Sequence, residues 1–470
     1  MIKIIQTINE KQLKDYEPDI IMTYIIKILF YYGEKCKIEK CQWKCQRKIR
    51  LAQNCYHHLL EVYIPEKTKQ IVHAIINTIN EDKLWKYETF SLEIVKSLMD
   101  HGVDGSVVVH TILNLIESID TNVYDIRIII KILYEILDFY EWPETDDTIS
   151  VIERLLSFFY MTIINTDAND KSYSNKLKRG LEICLRNIIK HLSNYQLLII
   201  IYHMCSWTME KDMNDNIILK FGSILEYTAY LHQATLYEKT LTPIIFPLLM
   251  EMIASNNKLI SLLGNRVIQY LIDRKANRIH FDTPKIFFDN IDFDLKLGNY
   301  YKEDKIFFKV NREILHDCLL KSILNHRTSR MNLETSYCTI CIIAIEVPCG
   351  FIAAALVCLI MNLQDLVLKE NNPHKIANYH IHAIVISIIS LLCWIHNAKV
   401  FYEYVNKIMM QRAQWAPHLN PPIQSQYNFA VHHIFWYKPE LYFIDWETRY
   451  GLWKRFRLQN HQDTNLKTDQ

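Results

Sequence analysis

A chain of 470 residues with 53 Lys+Arg against 52 Asp+Glu carries a net charge of only +1, so no global basic field is present to hold a nucleic acid. Nine glycines and 12 prolines leave long tracts free of helix breakers, which points to an all-α chain and leaves no phosphate-cradling Gly-rich loop. No Pro/Gly/Ser-rich linker divides it, so one elongated helical domain over residues 1–457 is expected, with a polar, disordered tail at 458–470.

In chain order, the apolar run after Met1 is too short for a signal peptide, so the chain is expected in the cytosol. Pro18 to Tyr32 reads as an apolar helix rich in Ile and Tyr. Lys35 to Arg50 is the one dense positive run, setting Cys36, Cys41 and Cys45 among Lys40, Lys44, Arg47 and Lys48. Pro65 is expected to open a helix through Ile79, because proline is tolerated in a first helical turn. Helices from Phe90, from Gly105 and over Ile126 to Leu137 follow, with apolar residues three and four apart. Stripes over Ile149 to Ile163 and Leu177 to Leu192 flank a polar loop at Asn165 to Ser174. Three further helices run over Tyr195 to Trp207, through Tyr230, and over Leu241 to Ala254.

Phe281 to Tyr301 alternates apolar with acidic residues and is expected to be extended, breaking the helix stack near residues 279–300. Beyond it, Phe307 to Leu324, Leu333 to Val347, Phe351 to Leu368, Ile376 to Ile395 and Lys399 to Gln411 read as helices, closed by short ones at Tyr427 to Trp436 and Trp446 to Phe456. Val347 to Gln364 and Ile376 to Ala398 approach the length of a membrane span but are polar at their ends, so they read as buried helices. Many similar helices with short joints and apolar faces describe an α-solenoid of the armadillo/HEAT kind, although no self-similarity appears at a period of ~40 to 47 residues.

No Gly-x-Ser-x-Gly elbow occurs, and Gly105-Ser106 and Gly222-Ser223 fall at or inside helices, so no catalytic residue is assigned. Cys36, Cys41, Cys45, Cys55, His57 and His58 lack the paired Cys-x2-Cys spacing of a zinc site, so no metal or cofactor is expected. Cysteines among lysines do match what acylation beside a polybasic surface requires, against the plainer reading of a solvated edge. Most other cysteines (Cys184, Cys205, Cys318, Cys338, Cys341, Cys358, Cys393) sit on apolar helical faces and read as reduced core thiols. Asp273, Arg274, Asn277 and Arg278 end an apolar helix and read as caps and inter-repeat bonds rather than a catalytic cluster. His380, His382, His432 and His433 have no partner at ligand spacing and read as structural.

At Leu271 to Arg278 the chain resembles the rolling blackout family, also called Efr-three. The resemblance continues through Lys302 to Lys309, Asn332 to Ile340, Ile360 to Asp365 and Phe401 to Pro417, and more weakly through Asn194 to Gln196 and Leu84-Trp85. It implies an armadillo/HEAT-like rod acting as a non-catalytic, peripheral scaffold on the cytosolic face of the plasma membrane. The implied partners are the phosphatidylinositol 4-kinase III alpha complex with its helical-repeat adaptor and anionic membrane lipids, with roles in phosphoinositide signalling and, in insects, synaptic transmission and phototransduction. Some members have been described as lipases, which makes a lipase acting on diacylglycerol or phosphoinositides the alternative class; a soluble helical-repeat binding module is the third. Against the family pattern, the acylated N-terminal cysteines and the long C-terminal tail are expected to be missing, with Cys36 to Arg50 as the replacement anchor. Without that replacement the chain is expected in the cytosol.

Overall fold

The computed structural model describes residues 13–39, 42–118, 123–164, 171–210, 213–369, 376–424 and 438–459. Among them lie nineteen α-helices and no strand, and the chain forms two compact units, Met1–Gln196 and Leu197–Gln470. The described residues fold all-α.

In the first unit, α1 (Pro18–Glu39) packs along α2 (Gln42–Glu81), the longest helix. Pro65 stands beside the start of a helical piece that runs through Ile79, though not in its first turn. It lies inside α2, and the chain bends where Lys67 takes φ −129° and ψ 30°. The bend at Lys67 divides α2 into two helical pieces, the second of which begins beside Pro65. Beyond α2 come α3 (Glu88–Asp100), α4 (Gly105–Ser118), α5 (Val123–Phe139), α6 (Asp146–Ile164) and α7 (Lys171–Lys190). The helices alternate between two layers: α2, α4 and α6 meet in one, α3, α5 and α7 in the other. Leu181, Cys184, Leu185 and Ile188 recur at spacings of three, one and three on α7 and are all fully buried, so the stripe read from the sequence is the face this layer covers.

In the second unit, α8 (Asn194–Glu210) leads to α9 (Asp215–Leu231), the single-turn α10 (Tyr237–Thr240), α11 (Ile245–Ala254) and α12 (Lys258–Ile272). Asn214 and Asn257 cap α9 and α12, each accepting first-turn N–H groups at 2.9 to 3.4 Å. Residues 281–301 contain no helix. After them the sequence leads one to expect a single helix from Phe307, but the structure has two, α13 (Lys302–Val310) and α14 (Arg312–Asn325). Asn311 separates them, its side-chain amide donating to the Phe307 carbonyl at 3.0 Å and competing with the helix for it. Then follow α15 (Arg330–Glu346), α16 (Gly350–Leu368), α17 (Ile376–Ile395), α18 (Lys399–Trp415) and α19 (Trp446–Gln459). One layer runs α9, α12, α15, α17, α18 and the other α11, α14, α16, α19. The expected helix at Tyr427 to Trp436 and the tail beyond residue 459 lie outside the described residues.

Among the described residues, two helices are long and apolar enough to cross a membrane, Gly350–Leu368 and Ala377–Ile395. The second is 94% buried within this unit, the first only 61%.

Candidate functional site

The end of α12 builds a buried polar junction. Asp273 accepts the amides of Asn277 and Arg278 at 2.9 and 2.8 Å, closing a tight turn in which Ala276 takes φ 58°. Arg274 then points inward: its Nη1 and Nη2 reach both oxygens of Asp304 at 2.7 and 2.9 Å, its Nε donates to the Thr235 carbonyl, and its Cζ stands 3.8 Å from the centroid of the Tyr237 ring. Asp304 is fully buried and also accepts the amides of Tyr237 and Tyr301 at 3.0 and 3.1 Å. Burial pushes its carboxyl up, but the guanidinium and the two amides outweigh that and hold it below the usual carboxylate range. One carboxylate thus joins α10, α12 and the start of α13.

Asn277 works on the non-helical segment, exchanging two hydrogen bonds with the backbone of Lys296 at 2.8 and 3.0 Å. Arg278 donates to Gln269, which itself donates to the Thr335 carbonyl and the Thr339 hydroxyl of α15. Gly298 donates to the Ile345 carbonyl at 2.8 Å, and a Cβ there would stand 2.3 Å from the Glu346 carbonyl oxygen, so only glycine lets the segment lie this close to α15. Glu346 is 1% exposed; one of its oxygens accepts the Lys275 amide and the other has no partner. Burial and the nearby Asp273 carboxylate push its pKa to about 7.

Asp304, Glu346 and Gln269 were not picked out from the sequence. Gln269 and Glu346 are signalled only by a lone amide or acid within a mostly apolar helical run, and Asp304, among Lys302, Glu303 and Lys305, looks like one more charge of a solvated first turn. The four residues that were picked out, Asp273, Arg274, Asn277 and Arg278, come together here as a cap, a buried ion pair and two links to neighbouring segments.

The basic stretch is helical on either side of residues 40–41. Lys40 and Cys41 lie outside the described residues; Cys36, Lys44 and Cys45 are placed by backbone on α1 and α2, their side chains outside the description. Arg47 and Lys48 are exposed, with Lys48 Nζ 5.5 Å from the Tyr32 ring. Cys55 is buried, and His57 pairs with His101 at 3.2 Å. Among the described residues, no three His, Cys, Asp or Glu side chains are grouped to hold a metal ion.

Cys184, Cys205, Cys338, Cys341 and Cys393 are buried, Cys318 is half-buried and Cys358 is exposed. Cys358 is thus not the core thiol expected from the sequence. His380 meets the Gln424 carbonyl at 3.0 Å and His382 packs on Tyr442, while His432 and His433 lie outside the described residues. Ser106 donates its amide to Asp104, and the Ser223 hydroxyl donates to the Lys220 carbonyl inside α9.

The family model described as EFR3, armadillo repeat, matches residues 33–432. Protein EFR3 homolog A of Mus musculus is 20% identical over 409 residues, covering 79% of this chain and 49% of that protein. The Homo sapiens protein of the same name is 20% identical over 411 residues, with the same coverage. The chain spans about half the length of these curated relatives. With the family model covering most of its length and stacked helices in each unit, the chain belongs to the EFR3 armadillo-repeat family.

Proposed function

We propose that the chain is a scaffold that helps to place a phosphatidylinositol 4-kinase of the III alpha type at the cytosolic face of the plasma membrane. The observation that carries this is the family match over residues 33–432. Its family is one of helical repeats rather than a catalytic one, and the chain is not an enzyme. Helical repeats expose long surfaces on a rigid frame, which suits a protein that holds others.

Peripheral attachment is assigned to the stretch from Cys36 to Arg50, where thioester-linked chains on Cys36, Cys41 and Cys45 add to the attraction of Lys40, Lys44, Arg47 and Lys48 for anionic lipids. Two weak anchors together hold a membrane where one does not. The kinase complex is reached through its helical-repeat adaptor, as the family resemblance implies. The test is co-purification of the tagged chain with the kinase and adaptor from cells, together with the kinase's membrane fraction after the chain is depleted. Recovery of both, and loss of kinase from the membrane, are expected; no recovery and unchanged kinase placement would leave a soluble helical-repeat binder as the better account.

A further inference from the structure

A helix that is apolar all round is normally covered all round. α16, apolar except for Asn362, Gln364 and Asp365, leaves one face open between α14 and α19 among the described residues. Two adjoining recesses of about 650 Å3 and about 490 Å3 run along that face and share Cys358 and Trp453. The floor is made of Phe351, Ala354, Ala355, Cys358 and Met361, with the exposed amide of Asn362 beside Met361. Trp446, Tyr450 and Trp453, one turn apart on α19, form an aromatic wall, with Trp446 73% exposed. Cys358 is exposed on this floor, and partial burial pushes its thiol up.

Charge is confined to the ends and the opposite wall. Arg449 closes one end on Asp365 through two bonds of 2.8 and 3.0 Å. On the far wall Arg312 pairs with Glu313, and His316 with Asp317, both at 3.1 Å. That leaves Lys309 and Arg457 with no acidic partner among the described residues, both lining the larger recess. The Arg457 guanidinium is held 4.8 Å from the centroid of the Trp453 ring.

We propose that this groove binds a single-chain anionic lipid, a long-chain fatty acid being the simplest, with its carboxylate between Lys309 and Arg457. Its chain lies along Ala354, Cys358 and Met361 beneath the α19 aromatics. The dimensions suit it. From Phe351 to Asp365 the floor extends about 21 Å at 1.5 Å per residue, whereas one acyl chain spans about 15 Å, half of a ~30 Å hydrocarbon core. A pair of unneutralised cations at one end of an apolar trough complements a charged head on an apolar chain. This assignment goes beyond the scaffold reading and does not depend on it.

The test uses the full chain in membrane-free buffer with dansyl-undecanoic acid as fluorescent probe. Saturable binding is expected, displaced by palmitate but not by the same concentration of hexadecanol, which lacks the charge, or of octanoate, which lacks the length. Lys309→Glu with Arg457→Glu should weaken binding by about tenfold or more. Ala355→Trp should abolish it by filling the trough, with helicity and melting temperature as controls; the charge-reversed pair, on the surface, keeps the test valid if the tryptophan variant does not fold. Absence of saturable binding, or equal binding by the charge-reversed pair, would overturn the assignment. So would probe binding seen only after residues 460–470 are deleted, which would make the chain's own end the occupant.

Discussion

Arg274 and Asp304 are tolerable as buried charges because each satisfies the other and backbone groups use the remaining lone pairs and protons. Removing one partner strands the other. Asp304→Ala and Arg274→Ala are each predicted to cost about 3–5 kcal/mol in urea unfolding, with the double variant well short of their sum.

Glu346 makes a prediction of opposite sign. Its carboxyl titrates at about 7 in the folded chain and at about 4.3 in the unfolded one. The folded state therefore holds the proton more tightly, so stability is full below the unfolded value and falls as pH rises toward 7. Glu346→Gln should raise the melting temperature relative to the parent at pH 8 and leave it nearly unchanged at pH 4. An equal effect at both would mean the carboxylate is not the cause.

Arg412 is fully buried and, among the described residues, bonds no carboxylate; it donates to the carbonyls of Leu441, His382 and Leu419 at 2.7, 3.1 and 3.0 Å. Arg412→Lys should cost about 2 kcal/mol or more in the same assay, because an ammonium lacks the planar fork that reaches three carbonyls at once.

At the scale of elements, most helices were legible because apolar residues recur every three or four positions. The segment 281–301 was legible as non-helical from its apolar and acidic alternation around Pro284. What fastens it was not. Lys285 exchanges bonds with the Ser387 hydroxyl at 3.0 and 2.5 Å, and the Phe287 amide donates to Ser390 at 3.1 Å. These serines lie about a hundred residues away in an apolar helix, where local pattern carries no sign of them.

The same limit hid Asp304 and Glu346, whose partners come from other elements. It also explains α16: composition alone shows an apolar helix, while its open face depends on where α14 and α19 stop. The division at Asn311 was not legible because it depends on one side-chain hydrogen bond inside an otherwise continuous helical pattern. Gly298→Ala tests the fastening directly. Its Cβ must displace the α15 backbone, so a loss of about 1–3 kcal/mol is expected, with faster hydrogen exchange at Lys296 and Gly298 before the rest of the unit opens. Uniform exchange throughout would show that the segment is not held where the structure puts it.

For the whole molecule, class and family were legible because a helical-repeat chain shows itself in element pattern and in a few ordered motifs. Partners and location were not, because they depend on surfaces that no local pattern identifies. The scaffold reading turns on whether Cys36, Cys41 and Cys45 with their basic neighbours hold the chain to a membrane. The measurement that tests it most directly is the distribution of the tagged chain between cytosol and plasma membrane, before and after hydroxylamine cleaves thioester-linked acyl groups. The account predicts a membrane-bound chain that is released by the treatment, and by replacing the three cysteines. A chain that is wholly cytosolic from the start, or bound equally well without those cysteines and their basic neighbours, would contradict it.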